Sequence, residues 1–529
     1  MQTGYRQFRT LCAVGYMLVS LPAGSAQEAS LPPPKYLGPT RCADCHNTPN
    51  PLRFRDFVLQ TESARFIAED KHVQAYELLK GELGQAMTKR LGIADISQAR
   101  QCLSCHAGWQ PHEAEKPPHF EFGVTCESCH GPSSNWDTPH SEPAWRVKPP
   151  ADKLKLGLVN VRDPVARAEQ CFSCHIGNAD QGKVITHEMY AAGHPPLPSI
   201  EIESFVDQMP AHWRYLPEKG PFESRAEYVK LNYPEHPHDP GLDLPRTRSA
   251  VVGGLVALRE SLELFASQAK PDNPQWPELA LFDCQACHHD LRSPSWRQQR
   301  DVQFAPGRPT LPEWPFALVN VSLRQIAGDN DVEFAKLTAE FAAQRQQLYA
   351  AVQKQPFGDK QAATRATEFA RWLEPHIVML STSRFDSTAA TRSILELTTL
   401  GDKEFPDFHS ARQRAWALGI IQRERDIPYP TWPSEEPKTT AAARRAAEAA
   451  NITLFEKWRD EQFAPQRQAW AARWKVQQPK FDLPLTLPAG QKQIIEQDLP
   501  RSLQAISNYD AAAFRRLLEE LKSASKPSK

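Results

Sequence analysis

The sequence has almost no net charge, and past its N-terminal segment it has no long hydrophobic run. Its 62 lysines and arginines nearly balance 63 aspartates and glutamates, for a formal net charge of -1. This balance gives no argument for binding nucleic acid or an acidic membrane surface. The most apolar later stretch, from Val251, is interrupted by Arg259, Glu260 and Glu263. We therefore expect no transmembrane segment in a mature, soluble protein.

Strand patterns are also missing. No stretch shows a β-strand alternation of apolar and polar residues, whereas segments of the C-terminal half, such as 333–352, have apolar residues at helical spacing. The 47 prolines concentrate in the N-terminal half and at its borders. They fit short helices and irregular loops there. The predicted fold class is mainly α, with little or no sheet.

Cysteine is scarce outside one repeated pattern. Ten of the 11 cysteines lie in five C-x-x-C-H motifs, and the C-terminal half has none. The remaining residue, Cys12, lies in the N-terminal segment. The motifs are CADCH at 42–46, CLSCH at 102–106, CESCH at 126–130, CFSCH at 171–175 and CQACH at 284–288.

This motif attaches haem covalently in c-type cytochromes. The two thiols add to the vinyl groups of one haem, and the histidine that follows binds the iron. A single C-x-x-C can also be half of a zinc site, a redox dithiol or a chance occurrence. Histidine after all five pairs, and the use of ten of the 11 cysteines in these motifs, argue against all three alternatives. The odd number of pairs further argues against paired zinc knuckles. We predict five covalently attached haem c groups. The attachment cysteines are Cys42, Cys45, Cys102, Cys105, Cys126, Cys129, Cys171, Cys174, Cys284 and Cys287, and the proximal histidines are His46, His106, His130, His175 and His288.

The N-terminus has the layout of a secretory signal peptide. Arg6 and Arg9 precede an apolar run over 11–21, and small residues follow up to Ala26. The run is too short for a permanent membrane span. We expect cleavage after Ala26, which removes Cys12 as well. Signal and motifs together predict a periplasmic protein.

The chain divides in two at a proline-rich stretch. We predict a signal peptide over 1–26 and a linker over 27–35, followed by a five-haem cytochrome c domain over 36–303. A second linker over 304–315 leads to an α-helical domain over 316–529. The role of this last domain stays open. It could shield the haems, dock a redox partner, or only pack against the first domain.

The first four motifs and their surroundings resemble the cytochrome c-554 family over about residues 36–215. The segment KHVQAYELL carries His72 in the family's H-x-x-A-x-x-x-L pattern. GVTCESCHGP then leads from His130 to His140 at the family's spacing, and CFSCH follows in the same order. The resemblance implies a periplasmic tetrahaem protein that accepts electrons from hydroxylamine oxidoreductase and passes them toward the quinone pool. The fifth motif and the helical half lie outside this pattern.

Each haem iron can take a second, distal ligand. The resemblance implies His72 and His140 as two such ligands. Three further candidates, His187, His194 and His212, share one segment after the fourth motif. Other histidines stay possible ligands or surface residues, and His376 is expected in a helical core. These remaining candidates are His112, His119, His236, His238, His289 and His409.

The predicted function is electron transfer between periplasmic or membrane-bound redox proteins through five haems. The alternative is a multihaem oxidoreductase with one open iron, acting on hydroxylamine, nitric oxide, nitrite or tetrathionate. No C-x-x-C-K motif occurs, which disfavours a nitrite reductase of the type that uses lysine as proximal ligand. A third possibility is that the protein is a subunit of a larger respiratory complex, in which its helical half anchors it.

Overall fold

The structure is a computed structural model. It describes residues 31–47, 58–109, 117, 119–213, 222–232, 243–270, 273–288, 308–354, 357–358, 360–401, 407–426 and 509–524. The chain divides into a short unit, Met1–Pro33, and a second unit, Pro34–Lys529. Of the first unit, the structure describes only residues 31–33, which are not helical. The predicted signal peptide and Cys12 lie outside the described residues, and the predicted domain boundaries stay predictions.

The described part of the second unit is built from helices and loops. It contains no strand, only an isolated antiparallel bridge between Asn178 and Lys183. The mainly α prediction is confirmed. The described α-helices before the proline-rich linker at 304–315 are α1 Pro39–His46, α2 Glu62–Glu69, α3 Ala75–Lys80, α4 Glu82–Leu91, α5 Arg100–His106, α6 Cys126–His130, α7 Asp137–His140, α8 Pro150–Leu154, α9 Pro164–His175, α10 His187–Ala192, α11 Ile202–Val206, α12 Phe222–Asn232 and α13 Pro245–Gln268.

Four of the five motifs end a helix with their histidine as the last helical residue. These are α1, α5, α6 and α9. Helix α9 shows how the sequence fixes such an element. Asp163 accepts hydrogen bonds from the backbone amides of Val165 and Ala166, both at 2.9 Å, and Pro164 occupies the first helical position. The fifth motif begins instead in a short 3-10 turn, Cys284–Ala286.

Helix α13 is the central element of the packing. Most of its residues are buried. Neither this helix nor any other described helix is long and apolar enough to cross a membrane. Two glycines allow neighbouring elements to approach its backbone closely. A Cβ atom on Gly253 would lie 2.7 Å from Ile202, and one on Gly254 would lie 2.6 Å from Leu318. Helix α13 therefore packs tightly against elements from both sides of the proline-rich linker.

The C-terminal half continues this core. Its described helices are α14 Val319–Ala327, α15 Asp331–Lys354, α16 Lys360–Ser381, α17 Ser387–Leu397, α18 Phe408–Asp426 and α19 Ala511–Ala524. One cluster of buried side chains runs from Phe172 on α9 through Leu255 on α13 to Phe369 on α16 and Leu418 on α18. A smaller cluster surrounds the second motif at Leu103.

Candidate haem-binding site

All ten motif cysteines are free thiols in the structure, as attachment to haem requires. Two contacts join different motifs. A hydrogen bond with Cys126 raises the pKa of the Cys42 thiol, and one with Cys174 raises the pKa of Cys105. The thiols thus bring the first motif to the third and the second motif to the fourth.

Two motif histidines face a second histidine in a nearly parallel arrangement. The ring centroids of His46 and His140 are 6.1 Å apart, with an angle of 15° between the ring planes. Those of His187 and His288 are 6.3 Å apart at 24°. The first pair joins α1 to the end of α7, and the second joins the start of α10 to the fifth motif.

Two more pairs are nearly perpendicular. His72 lies 6.3 Å from His175 at 89°, and His106 lies 6.3 Å from His194 at 87°. A metal ion about 2.0 Å from one nitrogen of each of two imidazoles holds their ring centroids about 6 Å apart. All four pairs meet this requirement. The residues present therefore fit four haem irons, each between two histidines.

Hydrogen bonds at Nδ1 orient several of these rings. Nδ1 of His46 bonds to Glu62 at 2.9 Å, that of His72 to Asp70 at 2.8 Å, and that of His106 to the Ala75 carbonyl at 2.6 Å. Nδ1 of His140 bonds to the Asp137 carbonyl, and that of His194 bonds to the Pro195 carbonyl at 2.7 Å. A partner on Nδ1 fixes the ring and leaves Nε2 for a metal.

Burial also selects the form of imidazole that binds a metal. It lowers the pKa of His130, His175 and His194 to about 4 in each case. These side chains are therefore neutral near pH 7. Neutral imidazole is the ligand form, so no proton has to leave when a metal binds.

His130 differs from the other motif histidines. No second imidazole lies at the pair distance from it among the described residues. The predicted ligand His212 is near enough for its charge to lower the pKa of His130, after the larger effect of burial. The His212 ring instead contacts Phe66 at 5.6 Å and Trp213 at 5.3 Å, and its Nδ1 bonds to the Pro210 carbonyl at 3.1 Å.

The other candidate histidines lie elsewhere. His119 is exposed and has a positive φ of 58°, and its ring contacts Phe122. His376 packs on Trp372 within α16, with ring centroids 4.4 Å apart. His409 is in contact with Arg412 on α18. Four candidates, His112, His236, His238 and His289, fall outside the described residues.

One residue at the site has a role that the sequence analysis missed. Glu127, between the two cysteines of the third motif, is 3% exposed. Its carboxylate accepts hydrogen bonds from the amides of Leu37, at 3.0 Å, and Gly38, at 2.7 Å. It also accepts from the amide and hydroxyl of Ser133, at 2.8 and 2.5 Å. Glu127 thus ties the segment before α1 to the third motif. The only signal was its place within CESCHGP.

Comparisons with known proteins match the part of the chain that carries the first motifs. Residues 41–131 match the family described as cytochrome c554 and c-prime. The chain is 22% identical to cytochrome c-554 of Nitrosomonas europaea over 226 residues, which is 41% of this chain and 89% of that protein. No solved structure matches. The predicted resemblance to the cytochrome c-554 family is confirmed over this part of the chain, and it implies covalently bound haem c.

Proposed function

We propose that the chain is a periplasmic c-type cytochrome that carries electrons between respiratory redox partners through five covalently attached haems. The observation that carries this proposal is the set of four histidine pairs with ring centroids 6.1–6.3 Å apart. Each pair combines one motif histidine with one predicted distal histidine. An iron with two imidazole ligands has no free position for a substrate, so it exchanges electrons only.

Haem supplies the one-electron iron couple, and the chain determines where the groups lie. The motif cysteines attach them, the paired histidines bind the irons, and the Nδ1 partners hold the imidazole planes. The contacts between the thiols of Cys42 and Cys126, and of Cys105 and Cys174, bring attachment points of different motifs together. Haems attached at these thiols would lie close together, which would favour electron transfer along the chain.

A second function is favoured by His130. Because no imidazole stands opposite this histidine among the described residues, the haem at Cys126 and Cys129 is the candidate for an open iron. An open iron would bind a small nitrogen or sulfur compound, as a multihaem oxidoreductase requires. If His212 moved to the pair distance from His130, it would close the same site and form a fifth histidine pair.

Carbon monoxide distinguishes the two functions. It binds ferrous haem that has an open axial position. It does not readily displace a histidine from an iron that has two histidine ligands. We expect the absorption spectrum of the fully reduced protein to stay unchanged under carbon monoxide if the protein is only an electron carrier. A change equivalent to one haem supports the second function. A change equivalent to two or more haems contradicts the four histidine pairs.

A further inference from the structure

Arg412 on α18 is a fully buried cation with incomplete hydrogen bonding. Its side chain is 0% exposed. Nη2 donates to the hydroxyl of Ser199 and lies 3.3 Å from both the Ser199 carbonyl and Nδ1 of His409. Nε and Nη1 are buried and have no acceptor among the described residues. Buried polar atoms in proteins are nearly always hydrogen-bonded. Nε and Nη1 of Arg412 therefore need an acceptor that the described protein groups do not supply.

Three of the other buried arginines have carboxylate partners, which Arg412 lacks. Arg246 pairs with Glu203 and Asp207, and Arg248 pairs with Asp243. Arg259 pairs with three glutamates, and Arg414 donates to the carbonyls of Leu397 and Thr399 and makes further contacts.

Charge neutralisation is correspondingly weak at Arg412. Burial lowers the pKa of Arg412 to about 9, and Asp407 only partly opposes this effect. The Asp407 carboxylate accepts from the amide and hydroxyl of Ser410, at 2.9 and 3.1 Å. A buried charge without a paired counter-charge is costly, so an anion is expected beside the guanidinium.

A row of aromatic contacts leads from this cation to a motif histidine. The guanidinium lies over Trp416, 4.7 Å from the ring centroid. Trp416 contacts Phe205 edge to face at 5.8 Å, and Phe205 contacts His175 in the same way at 5.6 Å. His175 forms one of the perpendicular histidine pairs, with His72. The cation therefore lies on the side of the fourth motif where α11 and α18 pack together.

We propose that Arg412 binds a propionate carboxylate of the haem attached at Cys171 and Cys174. The inference rests on the proposed function, since it requires haem at the fourth motif. Haem carries two carboxylates at its edge, and the planar fork of a guanidinium matches a carboxylate with two parallel hydrogen bonds. The positive charge favours the reduced iron, which carries one positive charge less. The C-terminal helical half thereby sets the potential of a haem attached to the N-terminal half.

The test is a spectroelectrochemical titration of Arg412→Gln beside Arg414→Gln. Arg414 is a matched control, because it is a buried arginine on the same helix that bonds to backbone carbonyls. We expect one haem of Arg412→Gln to show at least a tenfold fall in the ratio of reduced to oxidised iron at its wild-type midpoint, about 59 mV for one electron. The iron of this haem should have the two nearly perpendicular imidazole ligands His72 and His175. Arg414→Gln should leave all five midpoints in place.

The outcomes separate this inference from the proposed function. A wild-type protein without haem at the fourth motif, by peptide mass spectrometry, overturns both. Five haems with no midpoint changed in Arg412→Gln overturn only the role of Arg412. If Arg412→Gln does not fold, Arg412→Lys keeps the charge and most of the volume. Resonance Raman spectra of that variant should show a shifted propionate bending band, and an unshifted band overturns the inference.

Discussion

The hydrogen bonds of Glu127 predict a large loss of stability in Glu127→Gln. The buried carboxylate accepts from four donors, which are the amides of Leu37, Gly38 and Ser133 and the Ser133 hydroxyl. These donors belong to two segments that are far apart in the sequence. Loss of the carboxylate should therefore loosen the first motif from the third, as well as lowering the overall free energy of unfolding.

The magnitude follows from the number of donors. Glutamine keeps one acceptor oxygen and places an NH2 group where the second oxygen was. The backbone or hydroxyl donors that bonded to this second oxygen then face another donor and lose their acceptor. Hydrogen bonds to a charged group contribute about 1.5–3 kcal/mol each, and a buried donor left without a partner costs about 1–3 kcal/mol. We expect a fall of about 3–5 kcal/mol in the free energy of unfolding, among the larger effects of a single substitution.

Guanidinium titration of the haem-loaded protein, followed by far-ultraviolet circular dichroism, measures this difference. The matched control is Glu121→Gln, because Glu121 is an exposed glutamate near the same motif. The control should change the free energy of unfolding by about 0.5 kcal/mol or less. A loss below about 1 kcal/mol in Glu127→Gln, with five haems still attached, would refute the role assigned to its hydrogen bonds.

Three further predictions concern the ligands, the attachment sites and the buried charges. His140→Ala should give one haem's worth of high-spin iron in the EPR spectrum, and an all low-spin spectrum would contradict its place opposite a motif histidine. Cys284→Ser combined with Cys287→Ser should lower the protein mass by one haem, and an unchanged haem count would exclude attachment there. Burial raises the pKa of Asp207, but the charges of Arg246 and Arg423 outweigh burial and hold this pKa below its ordinary 3.8. Its contribution is complete above pH 3.8 and lost as pH falls through the folded pKa, so the unfolding midpoints of wild type and Asp207→Asn should converge in acid. A constant gap would contradict this linkage.

The local parts of the site could be predicted from the sequence. Each attachment motif is a contiguous pattern, so Cys126 and His130 are recognised without knowledge of the fold. The partner of each distal histidine could not be read in this way. His140 follows the third motif but faces His46 of the first, and His72 precedes the second motif but faces His175 of the fourth. Tertiary packing decides these pairs, and spacing along the chain does not contain that information.

The mainly α fold could be predicted from the spacing of apolar residues, but the positions of the buried charged residues could not. The pattern over 333–352 predicted a helix, and α15 extends over Asp331–Lys354. Apart from the place of Glu127 within CESCHGP, nothing in the local sequence marks Glu127 or Arg412 as buried, since charged residues are usually exposed. Their positions depend on contacts with segments far along the chain, at Leu37 and Ser199.

The most direct test of the proposed five-haem arrangement is mass spectrometry of the purified protein, followed by low-temperature EPR of the oxidised sample. Nearly parallel imidazole planes give a rhombic low-spin signal, and perpendicular planes give one with a large principal g value. We expect five haems, low-spin signals of both kinds, and high-spin iron from at most the haem at His130. Fewer than five haems, or high-spin iron from two or more, would contradict the arrangement.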